Sequence, residues 1–155
     1  MQRLWFITNP HSGSSDAAKA EAMLATFVER GLTLAGRTDF PDDDLPTPGA
    51  LAKAKADTVV LFAGDGTINA SVCALADWDG AILVLPGGTM NMLAKSLHGD
   101  ADPAAILLAA HENERRVALS FVEAGKHRAL VGLIVGPAAN WYHARERIRE
   151  RRLAD

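Results

Sequence analysis

Three short glycine-bearing stretches hold the residue types that bind phosphate: 9-NPHSG-13, 64-GDGT-67 inside 63-AGDGTINAS-71, and 87-GGTMN-91. Glycine lets a backbone approach a ligand closely and take turns closed to other residues. Each stretch also offers a hydroxyl or amide, from Ser12, Thr67, Asn69, Thr89 and Asn91. Together with backbone N–H groups, these are the donors that an anion needs. Asp65 is the exception. A carboxylate beside bound phosphate is repulsive unless Mg²⁺, a hydroxyl hydrogen bond or a proton transfer compensates, so Asp65 is assigned a metal-linked or catalytic role. Taken singly, each stretch has a plainer reading. Gly64 and Gly66 permit a strand-to-helix turn, Asp65 or Thr67 serves as helix N-cap, and Gly87–Gly88 makes another tight turn.

The elements that must position these turns are legible as apolar runs. The segments 4-LWFIT-8, 58-TVVLFA-63 and 81-AILVLP-86 are too short for helices and too uniformly apolar for one-faced strands. They read as buried strands of a parallel sheet. In 16-DAAKAEAMLATFVERG-31, residues Ala20, Met23, Leu24, Phe27 and Val28 fall on one helical face, Asp16 caps the start and Gly31 marks the stop. The run 32-LTLAGRTDF-40 is the second strand, 41-PDDDLPTPG-49 a loop, and helices follow at about Ala50 to Ala56 and in 103-PAAILLAAHENE-114. Right-handed crossovers then give an α/β chain with a parallel-sheet α/β/α architecture. All three glycine turns follow strands, so they share one edge of the sheet. That is where open α/β sheets bind ligands.

Near residue 115 the character changes. Residues 1–115 read as one α/β domain and 116–155 as the incomplete opening of a second, β-rich domain. Within it 116-RVALSFVEAGKHRALVGLIVG-136 predicts two strands joined by a turn at Gly125–Lys126. The tail 139-ANWYHARERIRERRLAD-155 predicts a helix in which Arg145, Arg147, Arg149, Arg151 and Arg152 interleave with Glu146 and Glu150.

Composition narrows the function classes. A net charge of −3 gives no whole-protein nucleic-acid footprint. Cys73 is the sole cysteine, so no intrachain disulfide, zinc spacing or CxxC motif is available, and the chain reads as cytoplasmic. No apolar run approaches the roughly 18 residues of a spanning helix, which leaves only peripheral contact with a membrane. There is no GxxxxGK[ST] loop and no GxGxxG opening the first helix. His11 reads as a solvated loop histidine and 42-DDD-44 as solvent-facing carboxylates.

The stretches NPHSG, (A)GDGT and LPGGTMNMLA, in that order and at these separations, resemble the diacylglycerol kinase catalytic domain family, best over residues 3 to 115. That family includes bacterial lipid kinases and the sphingosine and ceramide kinases. The resemblance implies a fold like that of NAD kinase and diacylglycerol kinase, with ATP and Mg²⁺ as cofactors. It implies transfer of the γ-phosphate of ATP to a lipid hydroxyl, diacylglycerol by default, met at the inner membrane surface. It further implies that Asn9, Pro10, His11, Ser12 and Gly13 lie against the nucleotide and that Thr38 contacts ATP. Gly64, Asp65, Gly66 and Thr67 would hold the phosphates, Asp65 through Mg²⁺, while Asn69, Thr89 and Asn91 complete the cleft. A homodimer is allowed and nucleic acid is not expected.

The chain departs from the family pattern at Ala63, where the first glycine of GGDGT stands, at Ala70, where an acid often stands, and at Met92, which replaces the aspartate of GTxND. In the family, the second domain supplies the carboxylate thought to activate the lipid hydroxyl. The alternatives are a truncated, non-catalytic ATP-binding module and, resting on GDGT alone, an NAD kinase-like enzyme.

Overall fold

The computed structural model describes residues 1–12, 17–125 and 127–132. Within the first compact unit, Met1–Ser120, the order is β1 (Arg3–Thr8), α1 (Ala17–Glu29), β2 (Thr33–Asp39), α2 (Pro48–Lys53), β3 (Thr58–Ala63), α3 (Asp65–Ala74), β4 (Ala81–Pro86), α4 (Met92–His98) and α5 (Pro103–Glu112). The strands form one parallel sheet in the order β2-β1-β3-β4. The chain is therefore α/β, a parallel sheet with flanking helices.

β3 lies inside the sheet, and all six of its residues are buried, as its unbroken apolar run requires. Among the described residues β4 is a sheet edge, and Ala81, Ile82 and Leu83 are only half-buried, so its apolar run does not report burial on both sides. Phe6 anchors one face of the core: Phe27 of α1 meets it edge-on at 5.4 Å and Phe62 stacks on it at 6.4 Å. Each such side chain contributes about 1.5–3 kcal/mol by leaving water. Ile106 and Leu107 of α5 join the same cluster. Ile7, Val59, Leu61 and Val84 alternate with these strand residues and are buried as well, while α2 and α3 bring in Leu51 and Ile68.

Several helix details differ from the sequence reading. Ala20, Met23 and Phe27 of α1 are buried and Leu24 packs against them, but Val28 is 78% exposed. One residue past Phe27 the helix has turned about 100°, and Val28 has left the narrow buried stripe. α1 ends before Gly31, whose φ of +67° suits glycine. α2 starts at Pro48 rather than Ala50, because the Thr47 side chain accepts the Ala50 N–H and proline occupies the first turn. It ends at Lys53, ahead of the left-handed Lys55. Asp16 lies outside the described residues.

A second unit starts at Phe121. Its described part is an antiparallel pair, β5 (Val122–Ala124) and β6 (His127–Ala129), with Gly125 at φ +58° in the turn. There the Arg128 guanidinium lies 4.4 Å from the Phe121 ring centre. The predicted 139–155 helix lies outside the described residues. Among those residues no helix is long and apolar enough to cross a membrane.

Candidate functional site

Because β1, β3 and β4 are consecutive in the sheet and parallel, the turns that leave their carboxyl ends meet side by side. Backbone contact between two of them demands glycine. A Cβ on Gly88 would lie 2.3 Å from the Gly64 Cα, and one on Gly87 would lie 2.5 Å from the Ala63 nitrogen. The Gly87 N–H donates to the Ala63 carbonyl at 3.2 Å, tying β4's turn to the end of β3.

Side chains knit the rest. The Asn9 Nδ2 donates to Thr67 Oγ1 at 2.9 Å, joining the first turn to the second. Ser12 Oγ donates to the Gly87 carbonyl at 3.1 Å, joining the first turn to the third. Asn91 stands in the left-handed region at φ +53°. Its Oδ1 accepts the Gly88 N–H at 2.6 Å and its Nδ2 donates to the Gly88 carbonyl at 2.8 Å, closing the loop on itself. Several donors that the sequence suggested for a ligand therefore hold the turns together. Plain turns do have a use for such groups.

Asp65 has a structural task that its position in the sequence does not announce. It occupies the first turn of α3, yet its carboxylate accepts the N–H groups of Met92 and Leu93, each at 3.0 Å, at the start of α4. α4 has no cap from its own Asn91. In α3 the N-cap is Gly64, with no side-chain cap, in place of the Asp65 or Thr67 that the sequence suggested. The Ile68 N–H bonds the Gly64 carbonyl at 3.0 Å. The N–H groups of Asp65, Gly66 and Thr67 precede this bond and have no partner inside the helix. Among the described residues space is open here, since a Cβ on Gly66 would meet none of them within 4 Å. An uncapped helix N-terminus with room in front of it suits an anion.

The remaining predicted residues divide. Asn69 sits half-buried on α3, while Pro10 and Thr89 are exposed at the edge. Gly13 lies outside the described residues. Thr38 is 2% exposed, and its Oγ1 accepts from the Trp5 indole Nε1 at 3.0 Å, so its hydroxyl is held within the sheet rather than offered to the cleft. Trp5 reaches it by crossing Gly36, where a Cβ would strike the indole ring at 2.4 Å. His11 and Asp42 form an exposed pair at 2.9 Å, linking the first turn to the loop after β2. Residues 42–44 are thus solvent-facing, with Asp42 engaged.

Lys19 escaped the sequence reading. It lines, with Gly88 and Asn91, a recess of about 340 Å³ beside the third turn. Its place on α1, after the first turn, was the available signal.

The donor set fits the groups expected there. Each Asp65 oxygen accepts one N–H and keeps lone-pair capacity for a hard cation. Mg²⁺ is commonly held by one or two carboxylates, with phosphate oxygens and water completing its shell. Among the described residues no three His, Cys, Asp or Glu side chains converge, so most ligands would arrive with a nucleotide.

Residues 3–122 match the family described as the diacylglycerol kinase catalytic domain. No curated protein sequence matches the chain significantly. A solved structure described as a diacylglycerol kinase from Bacillus anthracis str. Sterne is similar at 22% identity, with a TM-score of 0.49, over 71% of this chain and 40% of that one. The chain therefore spans well under half of that structure's length.

Proposed function

The chain belongs to the diacylglycerol kinase catalytic domain family, and we propose that it transfers the terminal phosphoryl group of ATP to a lipid hydroxyl, diacylglycerol being the default acceptor. The observation that carries this reading is the open N-terminus of α3, set among three interlocked turns with Asp65 beside it.

In the proposed reaction a bond forms between the lipid oxygen and the γ-phosphorus, and the bond to the β-phosphate oxygen breaks. Such transfers need positioning and charge neutralisation more than covalent help. The N–H groups of Asp65, Gly66 and Thr67 bind phosphate oxygens, and Asn9, Ser12 and Asn91 keep the three turns in register. Lys19 adds a cation nearby. Asp65 would hold Mg²⁺, which when bound would neutralise charge on the phosphates. Both Asp65 oxygens already accept backbone N–H groups, so we assign the base that takes the hydroxyl proton to a residue outside these turns. The domain boundary at residue 115 and a peripheral approach to a membrane belong to the same proposal.

Two assays test it: calorimetric titration with Mg·ATP, and transfer of labelled phosphate from ATP to diacylglycerol in mixed micelles. Binding with transfer supports the kinase. Binding without transfer points to a nucleotide-binding module, a reading favoured by the single carboxylate at the turns. Competition by NAD in place of lipid would overturn the acceptor assignment.

A further inference from the structure

The hydroxyl of Thr67 is fixed from one side only. The Asn9 Oδ1 accepts the His11 N–H at 2.9 Å, which identifies the other end of that amide as NH₂ and so as the donor to Thr67 Oγ1. Oγ1 is therefore an acceptor in this pair, and its own proton must point elsewhere. Thr67 is 6% exposed, and among the described residues its hydroxyl donates to nothing. A helical threonine ordinarily falls back on the carbonyl four residues earlier. Here that is Ala63, whose carbonyl accepts the Gly87 N–H, and among the described residues no bond joins it to the Thr67 hydroxyl. A nearly buried hydroxyl proton thus remains at the third residue of a helix whose first N–H groups have no partner among the described residues.

We infer that Asn9 is a positioning residue: its amide leaves the Thr67 hydroxyl as a donor beside the N–H groups that open α3, so that, the Asp65 carboxylate apart, this helix start selects a ligand group that only accepts, a phosphate oxygen. The inference rests on the phosphate-binding part of the function proposed above. His11 and Asp42 at the neighbouring surface pair with each other and leave this arrangement intact. Asn9 touches no ligand in this scheme; it acts through Thr67.

A double-mutant cycle on the full chain tests it, read by calorimetric binding of inorganic tripolyphosphate and, in parallel, of Mg·ATP. N9D keeps an oxygen for the His11 N–H but draws the Thr67 proton to itself, and N9A removes the donor without adding charge. N9D, N9A and T67V are each expected to weaken tripolyphosphate about tenfold, the scale of a hydrogen bond to a charged group. T67S keeps the hydroxyl and should bind like the parent. Combined with T67V, N9A should add nothing, because the group through which Asn9 acts has already gone. Multiplied losses, near hundredfold for the pair, would overturn the inference, as would N9A binding at the parent level in protein whose thermal melt is unchanged. Coupling with tripolyphosphate but no Mg·ATP binding would uphold the inference and remove ATP as the ligand. Mg·ATP binding with multiplied losses would do the reverse, and no binding of either probe by the parent chain would remove both.

Discussion

Two helices begin at the same sheet edge and their first turns are treated in opposite ways. At α4, the Met92 and Leu93 N–H groups are taken by the Asp65 carboxylate. At α3, which carries that aspartate, the N-cap is a glycine with no side-chain bond and open space lies over Gly66. A helix start carries roughly half a positive charge. A fixed carboxylate satisfies one, and in the proposed function the other receives a mobile anion. The same charge also makes the open site conditional, because phosphate beside Asp65 needs a cation between them. Under the proposed function, the contrast predicts both phosphate affinity at α3 and a requirement for Mg²⁺.

The contrast can be broken most severely at Asp65. Asp65→Asn removes the charge that both caps α4 and would hold Mg²⁺. Turnover should fall by about 10² or more in the lipid phosphorylation assay, on the scale of losing one preorganised electrostatic contact. Stability should fall by only about 1 kcal/mol in urea unfolding, the scale of a helix cap. Retained turnover would mean that the carboxylate serves structure alone. Gly88→Ala comes next. Its methyl would meet the Gly64 backbone, not a yielding side chain, so unfolding should be easier by about 3 kcal/mol and Mg·ATP binding should weaken with it.

Gly66→Ala separates the two roles. With none of the described residues near the new methyl and an ordinary helical backbone, folding should gain about 0.5–1 kcal/mol, yet Mg·ATP affinity should drop because the methyl enters the open space. A stabilised variant with unchanged affinity would place the phosphate elsewhere. The smallest effect lies at α4's other end. Burial holds the His98 imidazole below its ordinary range, and a hydrogen bond to Val84 only partly opposes this. The unfolded chain then binds the proton more readily. Stability should fall as pH drops below about 6.5 and level off beneath the lower folded value. His98→Gln should flatten that segment of the urea-midpoint profile.

Strand positions were legible because runs such as 58-TVVLFA-63 are long enough to fill a buried strand and bounded by turn residues. Their convergence on one edge followed from parallel connectivity alone. The hidden part was which polar group spends itself on which neighbour. Asp65 and Met92 stand 27 positions apart, so nothing local foretold that one caps the other. The family resemblance implied that Thr38 contacts ATP, but Trp5 claims its hydroxyl across a glycine on the adjacent strand. Lys19 was unremarked because its relation to Gly88 and Asn91 exists only after folding. Val28 shows a milder limit, since helical periodicity gives a face but not its width.

The difference between the two helix starts can be observed residue by residue. Titration of the ¹⁵N-labelled chain with inorganic tripolyphosphate in Mg²⁺ should move the amide resonances of Gly66 and Thr67 at α3 and leave those of Met92 and Leu93, already held by Asp65, nearly in place. Large movement at Met92 and Leu93 with Gly66 and Thr67 unmoved would contradict the account and put the anion at the helix that Asp65 was taken to close.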